Sequence, residues 1–319
     1  MFRITGSLVI ALLGPIFIVP LYIKMQKKYK IGQRIRQEGP DLHQHKTGTP
    51  TMGGLVIFFS VGLSLLFYLP EDSNTYMAFI LLCSFGLVGF IDDFIKNYKG
   101  RSLGLKARVK ILIQLIICVF FLFWLFQNQP VSQKIIIPFM ENSLFVPQII
   151  YIPFVILVFI SSTNAVNLTD GLDGLATGLM IIALIAFALI AFSQGEKSLA
   201  IFSLIIGFSC TGFLLYNFHP AKIFLGDVGS LGLGGVLAAI AVLTGTELFL
   251  LLIGGVFVIE TLSVIIQVIS IQMMKKPVFK MSPLHHHFEL LKWKETHIVL
   301  LFWGVGVVLS FLALAIYPK

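Results

Sequence analysis

The chain has 319 residues, of which 57% are hydrophobic and only 12% charged, with a formal net charge of +8. A soluble domain carries roughly 45–50% apolar and about 25% charged residues, so this composition excludes a water-soluble globular protein and reads as one integral membrane domain over residues 1–319. Cys83, Cys118 and Cys210 each stand alone in apolar sequence, which excludes a disulfide framework and a thiolate zinc site.

A hydrocarbon core of about 30 Å takes roughly 20 apolar residues as a helix. By that measure the chain predicts about ten transmembrane helices, at 7–24, 53–69, 76–91, 109–126, 144–161, 175–192, 199–215, 230–246, 248–271 and 298–316. The first run has no small-residue cleavage site after it and reads as a span, not a removable signal. Between the fourth and fifth spans, two β-rich runs, 134–139 and 144–146, flank a polar turn, which predicts a short outer β-hairpin. The class is an all-α polytopic membrane protein.

Lysine and arginine collect in short cytoplasmic connections. With both termini on the extracytoplasmic side, all of the 23 basic residues except Arg3, Lys134, Lys197 and Lys319 fall inside. The positive charge is therefore mostly a topology signal, with attraction of anionic lipid and substrate as a second effect, and is no sign of nucleic-acid binding. The acids sort with it: Asp92, Asp93, Asp170, Asp173 and Asp227 all fall at cytoplasmic span ends.

The first inner loop ends in His43-Gln44-His45-Lys46-Thr47-Gly48-Thr49-Pro50-Thr51. Its lysine, threonines and glycines offer a cation, hydroxyls and backbone N–H groups to a phosphate or nucleotide, or the segment is a polar turn capping the second span. Asp92 and Asp93 close the third span about 100° apart on a helix; one could face a metal and the other substrate or Lys110, or the pair joins an interfacial ion-pair network. Asn164, Asn167, Asp170 and Asp173 recur every third residue, on adjoining parts of one helical face, until Gly171 and Gly174 permit a turn. Two carboxylates and two amides meeting at a membrane surface are costly without a cation or polar ligand.

Asn217 and Phe224 flank the next inner turn, and Asp227 lies between Gly226 and Gly229. A lone carboxylate with free backbone around it suits Mg²⁺, which keeps waters and binds one or two carboxylates plus substrate phosphates; otherwise it is a Gly-Asp turn with Ser230 capping the following helix. His285, His286 and His287 cannot all ligate one ion from a regular helix, so phosphate or sugar contacts fit them better than zinc. Deep in the ninth span lie only Glu260 and Gln267. Glu260 is a functional candidate by default, or a buried hydrogen-bond partner of a neighbouring helix.

Together these segments, GTPTMGG at 48–54, the Asp pair at 92–93, NAVNLTDGLDGLA at 164–176, GDVGSL at 226–231 and PLHHHFE at 283–289, resemble the phospho-N-acetylmuramoyl-pentapeptide transferases of the polyprenyl-phosphate N-acetylhexosamine-1-phosphate transferase superfamily. The resemblance implies a ten-helix homodimer in the bacterial inner membrane with its active site facing the cytoplasm. It implies Mg²⁺-dependent transfer of phospho-MurNAc-pentapeptide from UDP-MurNAc-pentapeptide to undecaprenyl phosphate, giving lipid I and UMP. It further implies Asp227 as metal ligand, Asp92 and Asp93 as the catalytic pair, and His286 acting on the substrate side with His285 and His287. Lys46, Thr51, Asn164, Asn167, Asp170, Asp173, Asn217, Phe224 and Gln267 would line the substrate region, with Phe224 stacking on uracil and Lys110 serving the phosphates. A related N-acetylglucosamine-1-phosphate transferase and a membrane transporter are the alternatives. Transporters place polar sites near the bilayer midplane, whereas these motifs sit at span ends.

Overall fold

In hydrocarbon every backbone N–H and C=O must be paired within its own segment, so long apolar stretches become helices. The computed structural model describes residues 1–29, 32, 46–98, 103–129, 133–140 and 143–318. In chain order they form α1 (Phe2–Lys28), α2 (Gly54–Tyr68), α3 (Ser73–Tyr98), α4 (Ala107–Asn128), β1 (Lys134–Ile136), β2 (Ser143–Phe145), α5 (Gln148–Thr169), α6 (Leu175–Ser193), α7 (Lys197–Asn217), α8 (Gly226–Leu243), α9 (Leu250–Ile253), α10 (Gly255–Met274), α11 (Leu284–Leu290) and α12 (Glu295–Ala315).

Among the described residues, nine helices are long and apolar enough to cross a membrane, and α2, with 15 residues, is the short tenth. At 1.5 Å per residue α2 spans only about 22 Å. The expected ninth span over 248–271 is not one helix: it breaks at Gly254 into the single turn α9 and the longer α10. The hairpin forms with Lys134 opposite Phe145 and Ile136 opposite Ser143, its strands shorter than the β-rich runs. The basic residues Lys30, Arg34, Arg36, Lys99 and Arg101, the segment 43–45 and the turn residues 141–142 lie outside the described residues.

The helix rich in glycine, α8, is the axis of the bundle: every residue from Val228 to Val242 is buried, between α3 and α5. Small residues let helices approach closely where lipid supplies no hydrophobic drive. A Cβ on Gly89 of α3 would lie 2.0 Å from the Asp227 carbonyl oxygen, so a glycine there is what brings α3 against the start of α8.

Two ends of the bundle can be told apart. At one, Gln26 of α1 reaches Thr51 before α2, Thr177 of α6 donates to Asn217 of α7, and Lys110 of α4 meets Asp227 of α8. At the other, Gln194 donates to Tyr317 and to the Thr244 carbonyl, Ile136 N donates to the Gly245 carbonyl, and Tyr151 donates to Glu247. The N-terminal Phe2 packs on Phe67 at the far end of α2. Both chain ends therefore lie away from the aspartates.

Candidate functional site

Asp92 and Asp93, on the last turns of α3, are buried, at 1% and 5% exposure. Burial of charge is costly unless each oxygen is paired. Asp92 Oδ1 accepts from Leu105 N at 2.8 Å, and Asp93 Oδ2 accepts from Val228 N at 3.2 Å, at the start of α8. Gly226, with φ of 76°, adopts a left-handed conformation favoured by glycine and so starts α8 with Asp227 in its first turn. One carboxylate oxygen each from Asp92, Asp93 and Asp227 then lies within 4.8 Å of the others.

Two lysines offset most of the triad's negative charge. The Lys96 ammonium lies 2.7 Å from Asp92 Oδ2, 3.5 Å from Asp93 Oδ1 and 3.0 Å from Asp227 Oδ2. Lys110 lies 3.2 Å from Asp92 Oδ1 and 2.9 Å from Asp227 Oδ2. Asn167 on α5 donates to Asp227 Oδ1 at 3.0 Å and to Ser230 at 2.8 Å. Ser230 donates back to the Gly226 carbonyl, so it braces the first turn of α8 instead of capping it. Asp92 Oδ2 is buried, makes no hydrogen bond among the described residues, and meets Lys96 only as an ion pair.

A second cluster is built around the turn between α5 and α6. The buried Lys46 ammonium bridges Asp173 Oδ1 and Glu295 Oε1, both at 2.7 Å. Glu295 Oε1 also accepts from Asp173 N at 2.7 Å, and Asp173 Oδ2 accepts from Ala221 N at 3.0 Å. His219 Nδ1 sits 3.1 Å from Asp173 and 3.2 Å from Glu295. Asp170, at the C-terminal end of α5, is half-buried. Its carboxyl is pushed well above the ordinary carboxylate range, first by burial and then by the negative charges of Asp227, Asp93 and Asp173. It thus feels the fields of both clusters, and a cation or hydrogen-bond donor arriving between them would favour its ionised form.

A protein-family model described as glycosyl transferase family 4 matches residues 75–245, which contain the triad, Lys96, Lys110 and Asp173. The chain is 47% identical over 313 residues to the phospho-N-acetylmuramoyl-pentapeptide-transferase of Anoxybacillus flavithermus, covering 96% of this chain and 95% of that protein. It is 47% identical over 316 residues to the protein of that name from Oceanobacillus iheyensis, covering 97% and 96%. With the Staphylococcus saprophyticus protein of that name it shares 45% over 311 residues, covering 96% and 97%. The chain belongs to the phospho-N-acetylmuramoyl-pentapeptide transferase family.

Within this transferase the four groups spaced by three do not meet as one. Asn164 donates to Gln114 and to the Ile160 carbonyl, Asn167 joins the triad, and Asp173 is carried by the turn into the second cluster. Thr51 is buried, its backbone clasped by the Gln26 carboxamide, which accepts from Thr51 N at 3.0 Å and donates to Thr51 O at 2.7 Å. Phe224, partly exposed, is tied by its backbone to Pro50 and Gly53. Asn217 is buried and pins the turn after α7, accepting from Thr177 and donating to the Ile223 carbonyl.

The histidines divide. His285 is sealed, with its backbone N donating to Glu260 and its imidazole Nδ1 3.3 Å from that carboxylate, beneath Gly171. His286 is half-buried and pairs through Nδ1 with Glu289 at 2.7 Å. His287 Nδ1 accepts from Lys280 N. Gln267 fastens the backbone of Val278 and Phe279 to α10, accepting from both amides and donating to the Phe279 carbonyl. Sequence reasoning missed Lys96, Glu295 and Gln26 as site residues. Glu295 left a trace only as an acid three residues ahead of the expected last span, a position that reads as an ordinary partner of the helix dipole.

Proposed function

We propose that this chain transfers phospho-N-acetylmuramoyl-pentapeptide from its UDP carrier to undecaprenyl phosphate, giving lipid I and UMP for peptidoglycan synthesis. The observation that carries the chemistry is the triad of Asp92, Asp93 and Asp227 with two lysines, gathered at one end of a membrane bundle. A lipid acceptor presents its phosphate at that depth, and a nucleotide donor reaches it from water. Of the deep polar groups, Glu260 serves the backbone N–H and the imidazole of His285, and Gln267 the backbone of Val278 and Phe279, which favours an enzyme over a transporter.

In the proposed reaction an oxygen of the lipid phosphate forms a bond to the donor's sugar-bearing β-phosphorus. The bond from that phosphorus to its bridging oxygen breaks, and UMP leaves with the electron pair. Two anions must approach, so positive charge is the main requirement. The triad fits Mg²⁺: three oxygens from separate side chains lie within 4.8 Å of one another, and Asp92 Oδ2 is buried without a hydrogen bond. Such an all-oxygen set suits a hard cation, held by Asp227 with Asp92 and Asp93 beside it. When bound, Mg²⁺ offsets the charge of both reactants and polarises the phosphoryl oxygens. Lys110 serves the phosphates. A phosphate monoester has its second pKa near about 6, so the acceptor is largely dianionic at neutral pH and needs little help from a base. Asp92 and Asp93 therefore orient the cations more than they remove a proton.

The second cluster takes the nucleotide, with Asp173 and Lys46 at the polar end and Phe224 offering a ring face. His286 faces the substrate side. The basic loops support a cytoplasmic placement of this end in the inner membrane, and the family resemblance supports a homodimer. The test is UMP release by purified protein given UDP-MurNAc-pentapeptide, undecaprenyl phosphate and Mg²⁺. Release with UDP-N-acetylglucosamine instead would move the chain to the other branch of the superfamily. Asp227→Asn is expected to raise the Mg²⁺ requirement steeply, and an unchanged requirement would remove Asp227 as ligand.

A further inference from the structure

The Lys96 ammonium is the one side-chain group among the described residues that touches all three carboxylates of the triad, at 2.7, 3.5 and 3.0 Å. It stands where their oxygens converge, on the i+4 and i+3 positions from Asp92 and Asp93, so α3 itself delivers it there. Lys110 touches only Asp92 and Asp227, and from the flank. A divalent ion bound by these oxygens needs the same centre, and an ammonium and a divalent cation repel at contact distance. The two cannot share it.

We propose that Lys96 is an exchangeable placeholder for the divalent ion: its ammonium holds the three carboxylates together, is displaced when the ion binds, and then turns its charge toward the phosphates. Three features support exchange. The Lys96 side chain is 29% exposed, against 17% for Lys110, so it has a route to water. Its four-carbon stem lets the head group move without the helix moving. Asp92 Oδ2 meets this ammonium at 2.7 Å and has no other partner among the described residues, so withdrawal of Lys96 frees a buried carboxylate oxygen for the incoming ion. The placeholder also answers an electrostatic problem, because three carboxylates this close would repel one another without a cation among them. The ordering of substrate follows: the released ammonium is a phosphate contact available only once the ion is seated.

This inference rests on the metal reading proposed above, and two measurements separate the failure of each. In the first, Mn²⁺ binding is measured by electron paramagnetic resonance on the full-length protein in detergent, without nucleotide. If Lys96 holds the centre nine times in ten, Lys96→Gln tightens Mn²⁺ about tenfold, since apparent affinity scales with the fraction of open sites. Lys110→Gln, which removes an equal charge from the flank, tightens it by less. In the second, the unaltered protein is treated with a water-soluble amine-acylating reagent and mapped by mass spectrometry. Labelling of Lys96, relative to the exposed Lys222, rises on adding Mg²⁺, where a purely structural lysine would not change. Unchanged or weaker Mn²⁺ binding in Lys96→Gln, equal tightening in both variants, or no rise in Lys96 labelling would overturn the exchange while leaving the metal site intact. Absence of Mn²⁺ binding in all three proteins would overturn the metal site and the exchange with it.

Discussion

Replacing Glu295 tests whether the second cluster is an organised site. Its Oε1 accepts two bonds at 2.7 Å, from Lys46 and from the Asp173 backbone N–H. Glu295→Ala strips the amide of its acceptor, a loss of about 1–3 kcal/mol, and takes from Lys46 one of two charged partners, a loss of about 1.5–3 kcal/mol. The Glu295 side chain is 12% exposed, so water refills part of the gap and the lower end of each range applies, roughly 2.5 kcal/mol together. If the nucleotide is read by Lys46 and Asp173 in this arrangement, UDP affinity should fall about 60-fold, at tenfold per 1.4 kcal/mol. Glu295→Gln keeps a carbonyl for the amide and loses only the charge, so its cost should be roughly 1 kcal/mol, or about fivefold. Calorimetric titration of UDP into each variant in detergent gives both numbers. An alanine variant within twofold of the parent, or a glutamine variant as weak as alanine, would refute the argument. Mg²⁺ dependence should not change, because the triad draws on other cations.

Gly89→Ala sets a methyl against the Asp227 carbonyl at 2.0 Å and should cost about 3 kcal/mol or more through the forced separation of α3 and α8, read as a lowered thermal midpoint with loss of transfer. Gln26→Ala removes both bonds to Thr51 and should cost about 2 kcal/mol; a midpoint equal to the parent's would show that water replaces the carboxamide. Glu247, buried at the far end, is pushed up to about 7 by desolvation, against the Tyr151 hydroxyl that donates to it. Because the folded value lies above the ordinary one, its stabilising contribution is full below about pH 4.5 and is lost as pH rises through about 7, by roughly 3 kcal/mol. The thermal midpoint should therefore fall over that window in the parent, and Glu247→Gln should flatten the fall.

What could be read from the sequence divides along a physical line. Apolar length is set by the bilayer, so the spans and the axis helix α8 were legible even with its glycines, and so was the hairpin. Gly254 looked like any other glycine in a span, because whether it breaks the helix depends on the packing of α9 and α10 against α12, which no periodicity carries. Carboxylates at apolar span ends stand out because burying them is costly, which is why Asp92, Asp93, Asp173 and Asp227 were legible one by one. Their partners were not. The spacing of three suggested that Asp173 belongs with Asp170, yet its charge is met by Lys46, 127 residues away in the chain, since the turn at Gly171 and Gly174 carries it off the helical face. Lysines in short connections between spans have a sufficient explanation as an orientation signal, and that explanation hid their second use. Lys46, Lys96 and Lys110 all count toward the orientation signal, and all three are the cations that make buried carboxylates tolerable at this end of the bundle. A basic loop that fixes which way a membrane protein faces is thus also the cheapest source of positive charge for chemistry on phosphates, because both needs arise at the same interface.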